Sequence, residues 1–412
     1  MKRKIIVLIS FLVICLHVFP GTIKVGPHHQ VSSIRDGIRQ ASDGDTVWVE
    51  AGVYAEKNIV IVKKISLIGD HLPVLDGEKK YEIISVKADG VVVDGFRLIN
   101  TGVSSLQDIA AIRIYGRRDV VIRNNVLDNT FFGIYVEAGV QCTIEGNRLK
   151  AYSLLEQQSG NGIHCWKSDS LRIIDNTISG HRDGIYFEFV THSVIWRNIS
   201  DGNLRYGLHF MFSHEDAYIS NVFRNNGAGV SVMFTHGVKM FNNYFEDNWG
   251  DGAFGMLLKE ISDSYVSGNK FLGNTIGVYM EGATRIQFEK NVFRGNGWAM
   301  KIQASCMDNV ITRNNFLSNT FDIGTNGSLV LNNFDHNYWD KYEGYDLNRD
   351  NSGDVPYHPV SLFSMIVERN PPAMMLFRSF MTLLLDKTEK ILPGITPANL
   401  KDEHPLMKPL KL

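Results

Sequence analysis

Two stretches of sequence decide the fold: GLHFMFSH at residues 207–214 and GVSVMFTH at residues 229–236. They begin 22 residues apart and carry Gly, Met and His at matching positions. Apolar side chains alternate with others in both, which is the pattern of a strand and not of a helix. A strand pattern that returns after 22 residues is typical of a solenoid, in which each coil buries its apolar face against the next.

The same signature recurs along most of the chain. A Gly-apolar-x-apolar motif begins at Gly133, Gly162, Gly184, Gly207, Gly229, Gly255 and Gly277. The steps between these glycines are 29, 22, 23, 22, 26 and 22 residues. An Asn-x-apolar motif begins at Asn125, Asn147, Asn176, Asn221, Asn243, Asn269, Asn291 and Asn314, with a weaker copy at Asn198.

These repeats lack the leucine framework of a leucine-rich repeat. We therefore predict an all-β chain that folds as a right-handed parallel β-helix with coils of about 22 residues. Stacked coils lie about 4.8 Å apart, so Asn side chains at equivalent turns are expected to form a hydrogen-bonded ladder. Their expected role is structural.

The sequence divides into four predicted segments. Residues 1–21 are a signal peptide, 22–45 an N-terminal cap, 46–340 the β-helix, and 341–412 a loop with an apolar, partly helical tail. In the cap, Ile34, Ile38 and Ala41 have helical spacing, which predicts a short amphipathic helix over the first coil.

The signal peptide is predicted from three basic residues at positions 2–4 and an apolar run at 5–19. That run is short for a membrane span and suits a cleavable export signal. A membrane anchor is the alternative. Lipid attachment at Cys15 is disfavoured because Ile14 stands where a small residue is expected.

Composition narrows the class of protein. The chain has 44 acidic and 42 basic residues, a net charge of −2 and no basic block, so a nucleic-acid partner is not expected. Three cysteines lie beyond the signal: Cys142, Cys165 and Cys306. An odd, scattered set in an exported chain indicates core thiols and not a disulfide framework.

Counting from each repeat glycine predicts which side chains reach solvent. The first and third positions are apolar and face the core, so the second and fourth must face outward. The second positions are Tyr135, His164, Tyr186, His209, Ser231, Leu257 and Tyr279. The fourth positions are Glu137, Trp166, Glu188, Met211, Met233, Lys259 and Glu281.

The two quoted coils suggest a metal site. Met211 and Met233 should be stacked neighbours, as should His214 and His236, and His209 lies two residues before Met211. Thioether and imidazole ligands together suit Cu(I), so we predict a copper site at these five residues. The alternative is drift within the repeat, with the two Met side chains under a loop or at a partner interface and the His column turned away from the Met column.

The tail adds two further predictions. Asp346, Asn348, Asp350 and Asp354 alternate in a polar loop whose oxygen spacing resembles a calcium loop, although a plain polar turn is the alternative. Residues 374–385 are almost wholly apolar and predict a helix too short to span a membrane. Such a segment either caps the last coil or docks on a partner.

Several non-repeating runs resemble the NosD family. They are residues 205–211, 225–230, 255–261, 296–298, 337–340, 344–347, 353–357 and 405–409. The resemblance implies a periplasmic accessory protein for maturation of the copper enzyme nitrous oxide reductase. It also implies three partners: the membrane subunit of an ABC transporter, which would hold the protein at the inner membrane, a copper chaperone, and the reductase.

Two other functions compete with a metal-handling role that involves no catalysis. A polysaccharide-active enzyme or carbohydrate-binding protein is the first, because many β-helices act on sugars. Tyr135, Tyr186 and Trp166 are outward aromatic residues that suit sugar rings. Glu137 and Glu188, however, lie two coils apart, about 10 Å at the strand spacing, which is loose for paired carboxylate chemistry. A surface adhesin is the second, and the tail shows no cell-wall sorting signal.

Overall fold

A computed structural model describes residues 20–104, 106–327, 332–391 and 400–412. The apolar run of the predicted signal peptide, residues 5–19, lies outside the described residues. The prediction of an exported chain therefore rests on sequence alone.

Over the described residues, the chain winds through three parallel sheets of 14, 13 and 12 strands and visits them in the same order in every coil. The first sheet contains Thr22–Val25, Thr46–Val49, Ser66–Gly69, Val92–Asp94, Val121–Arg123, Thr143–Glu145, Arg172–Ile174, Val194–Trp196, Ala217–Ile219, Lys239–Phe241, Tyr265–Ser267, Gln287–Glu289, Val310–Thr312 and Asn333–Asp335. The second contains Val53–Tyr54, Val74–Asp76, Arg97–Ile99, Val126–Asp128, Arg148–Lys150, Thr177–Ser179, Ile199–Asp201, Val222–Arg224, Tyr244–Glu246, Lys270–Leu272, Val292–Arg294, Asn315–Leu317 and Tyr338–Trp339. The third contains Ile59–Ile61, Ile84–Val86, Ala110–Tyr115, Phe132–Glu137, Ile163–Trp166, Asp183–Glu188, Tyr206–Met211, Ala228–His236, Met256–Ser262, Ile276–Glu281, Trp298–Ile302 and Phe321–Gly324. The predicted parallel β-helix is confirmed.

The core is a set of stacked apolar columns inside the coils. In the second sheet, Phe245, Phe271, Phe293 and Phe316 are fully buried and stack with ring centroids 4.7–4.9 Å apart. Trp339 continues the column at 4.0 Å from Phe316. Identical residues therefore fill identical positions, which is how a repeat builds one continuous core.

The predicted Asn ladder is present and runs almost the length of the coils. Each Asn Nδ2 donates to the Oδ1 of the Asn one coil further on, at 2.9–3.0 Å. The members of this first ladder are Asn125, Asn147, Asn176, Asn198, Asn221, Asn243, Asn269, Asn291, Asn314 and Asn337. A second ladder joins Asn203, Asn226, Asn248, Asn274, Asn296 and Asn319. Because these buried amides satisfy one another and nearby carbonyls, their role is structural.

The repeat glycines allow the coils to approach closely. A Cβ at Gly207 would lie 2.7 Å from the carbonyl oxygen of Gly229, and one at Gly229 would lie 2.3 Å from that of Gly255. No side chain fits at those distances, so the column of glycines follows from the spacing of the backbones.

The N-terminal end is closed by helix α1, Ile34–Gln40. Ser33 caps it by accepting a hydrogen bond from the Asp36 N–H at 3.3 Å. Ile34 and Ile38 are buried against the first strands. The preceding strand, Thr22–Val25, already pairs with Thr46–Val49, so the segment predicted as a cap also contributes the first strand of the first sheet.

The C-terminal region comprises helix α2, Leu362–Arg369, a 3-10 turn at Pro371–Leu376, and helix α3, Phe380–Ile391. The prediction of one helix over 374–385 is wrong, because Arg378 has a φ of 61° and interrupts it. No helix in the described part of the chain is long and apolar enough to cross a membrane.

The final segment, residues 400–412, lies along the last coils. The Asp402 carboxylate accepts hydrogen bonds from Asn337 Nδ2 at 3.0 Å and Trp339 Nε1 at 2.9 Å. Further along, Asn315 exchanges two hydrogen bonds with the backbone of Leu410. This segment therefore covers the open C-terminal end of the solenoid.

The prediction that the second positions reach solvent is wrong for most of them. The buried members are Tyr135, His164, His209, Ser231 and Leu257. They point away from the coil interior, but neighbouring side chains cover them, since His164 lies between Tyr135 and Tyr186 with ring centroids 4.4 and 4.8 Å away. The longer coils add cover, because Phe254 stacks on Tyr206 at 6.3 Å.

Candidate metal centre

The fourth-position column of the third sheet carries the candidate methionines. Met211 and Met233 are direct partners in the register of the strands Tyr206–Met211 and Ala228–His236. Both side chains are half-buried, and the Tyr186 hydroxyl lies 3.8 Å from Met211 Sδ. The register therefore places the two methionines in adjacent coils, as predicted, and Cu(I) binding by their thioethers stays a prediction.

The neighbours of this pair along the column are charged. Glu188 precedes Met211, and Lys259 follows Met233. Lys259 forms an ion pair with Glu281 at 3.1 Å, so its charge is partly neutralised, whereas Glu188 adds a carboxylate beside the sulfurs. The surroundings of the methionine pair thus favour a cation.

The predicted histidine pair also forms, but beyond a bend in the chain. His214 and His236 stack with ring centroids 4.2 Å apart and an interplanar angle of 12°. Between each Met and its His stands a phenylalanine with positive φ, Phe212 at 49° and Phe234 at 55°. The sulfurs and imidazoles therefore lie on two sides of a bend and form two separate donor sets.

The protonation of the histidine pair affects its use as a ligand. Burial, followed by the charge of His236, lowers the pKa of His214, which keeps its imidazole neutral. Its Nδ1 lies 3.3 Å from the His236 backbone N–H, which donates to it. Metal binding through Nε2 would need the other tautomer and would lose this weak hydrogen bond.

His209 belongs to a different cluster. It is buried, with Nδ1 3.6 Å from the carboxylate of Asp183, and its ring lies between Tyr186 and Tyr206 at 4.9 and 4.8 Å. Arg205 also binds Asp183, at 2.8 Å through Nε. Burial is the largest single influence and would raise the pKa of Asp183, but the hydrogen bonds and charges of Arg205 and His209 together lower the pKa. His209 therefore supports a buried ion pair.

The three cysteines in the described part of the chain offer no thiolate ligand. Cys142, Cys165 and Cys306 are free and buried, which agrees with the prediction of core thiols. Burial raises the pKa of Cys142 to about 11, so this sulfur is a neutral thiol at physiological pH and a poor metal ligand.

The loop predicted to bind calcium is organised by its own backbone. Asp346 accepts hydrogen bonds from the N–H groups of Arg349, Asp350 and Asn351, at 2.6, 3.2 and 2.9 Å. Asp354 accepts one from Leu347 at 2.7 Å. These contacts account for the spacing of the acidic residues, and calcium binding by Asp346, Asn348, Asp350 and Asp354 stays a prediction.

Sequence reasoning missed a cleft of about 610 Å³ at the N-terminal end of the third sheet. Tyr115 donates a hydrogen bond to Glu82 at 2.9 Å, and Arg113 lies over the Tyr115 ring at 4.8 Å. Burial is the main cause that raises the pKa of Glu82 and that of Tyr115, the latter to about 12. The coil went unnoticed because Ala111 occupies the repeat-glycine position.

A second missed cluster joins Asp335, His336 and His404, which offer one donor atom each within 4.8 Å of one another. His404 is 69 residues from Asp335 in the sequence. No spacing rule connects the final segment to the last coil, so only the structure brings these three residues together.

The fold and its outer face define a class: a parallel β-helix whose outer face carries paired methionines and paired histidines. The sequence matches the family described as "Periplasmic copper-binding protein (NosD)" over residues 150–347. It is 28% identical over 394 residues to the "Probable ABC transporter binding protein NosD" of Pseudomonas aeruginosa, covering 90% of this chain and 91% of that protein. The chain is therefore similar to the NosD family over residues 150–347 and to this relative over most of its length.

Solved structures with the same fold have varied functions. The surface adhesin PfbA of Streptococcus pneumoniae superimposes with a TM-score of 0.55 at 12% identity, covering 71% of this chain and 86% of the adhesin. The family 28 exopolygalacturonase of Yersinia enterocolitica gives 0.50 at 10% identity, covering 74% and 77%. At these identities the likeness establishes the fold alone.

Proposed function

We propose that this protein is a periplasmic accessory protein that passes copper toward nitrous oxide reductase together with an ABC transporter, and that it catalyses no reaction. Similarity to the NosD family supports copper binding and an accessory role with a transporter. A copper chaperone as donor and the reductase as recipient complete the proposal. Copper is then cargo, held briefly and released.

The observation that carries the proposal is the pair Met211 and Met233. Thioethers bind Cu(I) well and hard divalent ions poorly, and this pair is half-buried on the outside of the coils, where a partner can reach it. His214 and His236 form a second donor set a few residues away, to which Cu(I) can move. His209 is assigned a supporting part, because Asp183 and Arg205 already engage it.

The test is a competition titration with Cu(I) on the natural chain and on Met211→Leu with Met233→Leu. Removing both sulfurs should weaken binding by more than the ~10-fold that loss of a supporting contact causes at metal sites. The matched control is Met307→Leu, a partly exposed methionine on the same solenoid. Copper loading of the reductase in cells should fall with the double variant only, and unchanged affinity with full loading would disprove this site.

The C-terminal region supplies the proposed docking surface for the membrane subunit of the transporter. Helix α2 packs on the third sheet, where Phe363 contacts Phe321 and Glu368 forms an ion pair with Lys301 at 2.5 Å. The residues that follow expose apolar side chains instead of covering them: Met375 is 89% exposed and Phe380 is 80% exposed. An apolar patch of this kind on a helix pair marks an interaction surface.

Substitution tests this docking better than truncation. Deleting everything after residue 359 would also remove Asp402, which caps the last coil. Met375→Ser with Phe380→Ser should instead leave the fold intact and abolish copurification with the transporter. The control is Leu106→Ser, at an exposed leucine near the N-terminal end of the solenoid. This variant should copurify normally.

A carbohydrate-binding or polysaccharide-active protein is the second candidate. The cleft with Glu82, Arg113 and Tyr115 favours it, because aromatic, cationic and acidic groups meet there. In the fourth-position column, however, Glu137 and Glu188 are separated by Trp166. A screen of uronate polymers should detect no turnover, whereas activity that disappears in Glu188→Gln or Glu82→Gln would favour this second function.

A further inference from the structure

A compact cluster of nitrogen and oxygen donors lies at the C-terminal end of the solenoid. Asp335 ends the last strand of the first sheet, and His336 follows it. Nδ1 of His336 is 2.7 Å from one oxygen of the Asp335 carboxylate, and Nδ1 of His404 is 2.9 Å from the other. The two imidazole rings have centroids 5.3 Å apart. One carboxylate thus holds two imidazoles that come from different parts of the chain.

The two histidines face a cleft of about 600 Å³. Asp350, Asp354 and Glu403 also line this cleft, and its walls are therefore rich in carboxylates. Such a cleft attracts cations. The cleft and the donor cluster are independent observations that indicate the same kind of ligand.

The backbone positions of the donors are fixed by contacts that do not involve the imidazoles. The segment carrying His404 is held by the Asp402 carboxylate, which accepts hydrogen bonds from Asn337 and Trp339. The N–H of Leu406 donates to the carbonyl of Asn337 at 2.8 Å. Because both sides of the cluster rest on ordered structure, the donor set is largely preorganised.

We propose that Asp335, His336 and His404 bind a divalent transition-metal ion, Zn²⁺ or Cu²⁺, that fastens residues 400–412 to the last coil. Two imidazoles and a carboxylate suit these ions, whereas Ca²⁺ and Mg²⁺ prefer oxygen ligands alone. The ion would take the place of the protons that link the two Nδ1 atoms to the carboxylate. This site has no thioether and lies apart from the methionine pair, so it does not depend on the proposed handling of Cu(I).

Calorimetric titration of the metal-free full chain with Zn²⁺, and separately with Cu²⁺, tests the proposal. We expect one tight ion per chain, weakened by at least ~10-fold in His404→Asn and in His336→Asn, the lower limit seen for supporting residues of metal sites. His71→Asn is the matched control, since His71 is exposed and pairs with a single neighbouring carboxylate, Asp70, at 2.8 Å. Asn is chosen because positions 336 and 71 have positive φ, which it tolerates.

Hydrogen exchange supplies a second measurement. Zn²⁺ or Cu²⁺ should slow exchange of the amides in residues 400–412 in the natural chain and in His71→Asn, and should leave it unchanged in His404→Asn. The Asp402 contacts remain in every variant, so loss of the fold is not expected. Equal affinities in all variants, or the absence of a tight ion in the natural chain, would overturn the proposal. Displacement of one ion by the other identifies the preferred metal.

Discussion

The coils and the C-terminal region stabilise themselves in opposite ways. In the coils, a buried Asn such as Asn221 binds the equivalent residues one coil back and one coil on, at 3.0 Å each. In residues 341–412 the important contacts occur once, such as Asp402 on Trp339 and Glu368 on Lys301. Repetition makes the coils self-sufficient. The C-terminal region, by contrast, leaves apolar side chains such as Met375 and Phe380 exposed.

The largest expected effect is on the interior of the first ladder. In Asn221→Ala, the carbonyl of Ile195 loses a donor and the Asn198 amide groups lose an acceptor. With about 1–3 kcal/mol for each buried group left unsatisfied, the free energy of unfolding should fall by about 4–6 kcal/mol. Denaturant titration measures it. Gln287→Ala, an exposed amide on a coil strand, should change it by less than about 0.5 kcal/mol.

Acid should weaken the coils through a buried histidine. Burial lowers the pKa of His181 from 6.5 to about 4, so the unfolded chain takes up its proton first as pH falls. The stability that neutral His181 contributes is therefore fully present above pH 6.5 and is lost between pH 6.5 and 4. The loss is up to about 3 kcal/mol.

His181→Leu tests that contribution. Between pH 7 and pH 4, its free energy of unfolding should fall by about 3 kcal/mol less than that of the natural chain. His71→Asn should keep the full pH dependence, because His71 is exposed. Equal pH dependence in the His181 variant and the natural chain would show that the pKa of this histidine is the same in the folded and the unfolded chain.

A smaller effect is expected where the two regions meet. Asp402→Ala leaves the Asn337 amide and the Trp339 indole without an acceptor, at the end of the ladder where water can partly replace it. We expect a loss of about 2 kcal/mol, concentrated in local opening of the last coil. Hydrogen exchange should speed up near Asn337 and stay unchanged near Asn221. A loss of unfolding free energy as large as that in Asn221→Ala would show that the end of the Asn ladder matters as much for stability as its interior.

The smallest effect on stability is expected on the exposed apolar surface. Met375→Ser with Phe380→Ser should change the free energy of unfolding by less than about 0.5 kcal/mol, because neither side chain is covered. Thermal denaturation of the variant beside the natural chain measures it. A clear destabilisation would mean that these residues help to hold the C-terminal region in place, and would weaken the case for a docking surface.

The sequence predicts the structural features that recur from coil to coil. The 22-residue step and the aligned Gly and Asn residues correctly predict the fold, the pairing of Met211 with Met233 and the first ladder. The second ladder was also within reach, since an Asn follows five residues after the first one in six consecutive coils, as Asn221 and Asn226 illustrate. A repeated sequence predicts repeated contacts, because every coil packs against a similar coil on each side.

Features that occur once were beyond the same reasoning. The burial of His209 depends on a buried carboxylate in the preceding coil and on the rings of Tyr186 in that coil and Tyr206 in its own strand. The bend at Phe212 depends on a single backbone angle. The meeting of His336 with His404 depends on how the final segment returns. Alternation predicts the direction of a side chain, but what covers it is a tertiary property.

The first Asn ladder has a direction, and its end therefore matters for assembly. Every side-chain amide donates toward the C-terminal end. Without the terminal segment, the final member, Asn337, would have an unpaired N–H beside an open row of backbone groups. A strand edge of that kind is a template on which another chain can add. The Asp402 carboxylate accepts a hydrogen bond from this N–H, and residues 400–412 lie along the edge. The terminal segment thus covers a strand edge on which the end of another solenoid could otherwise add.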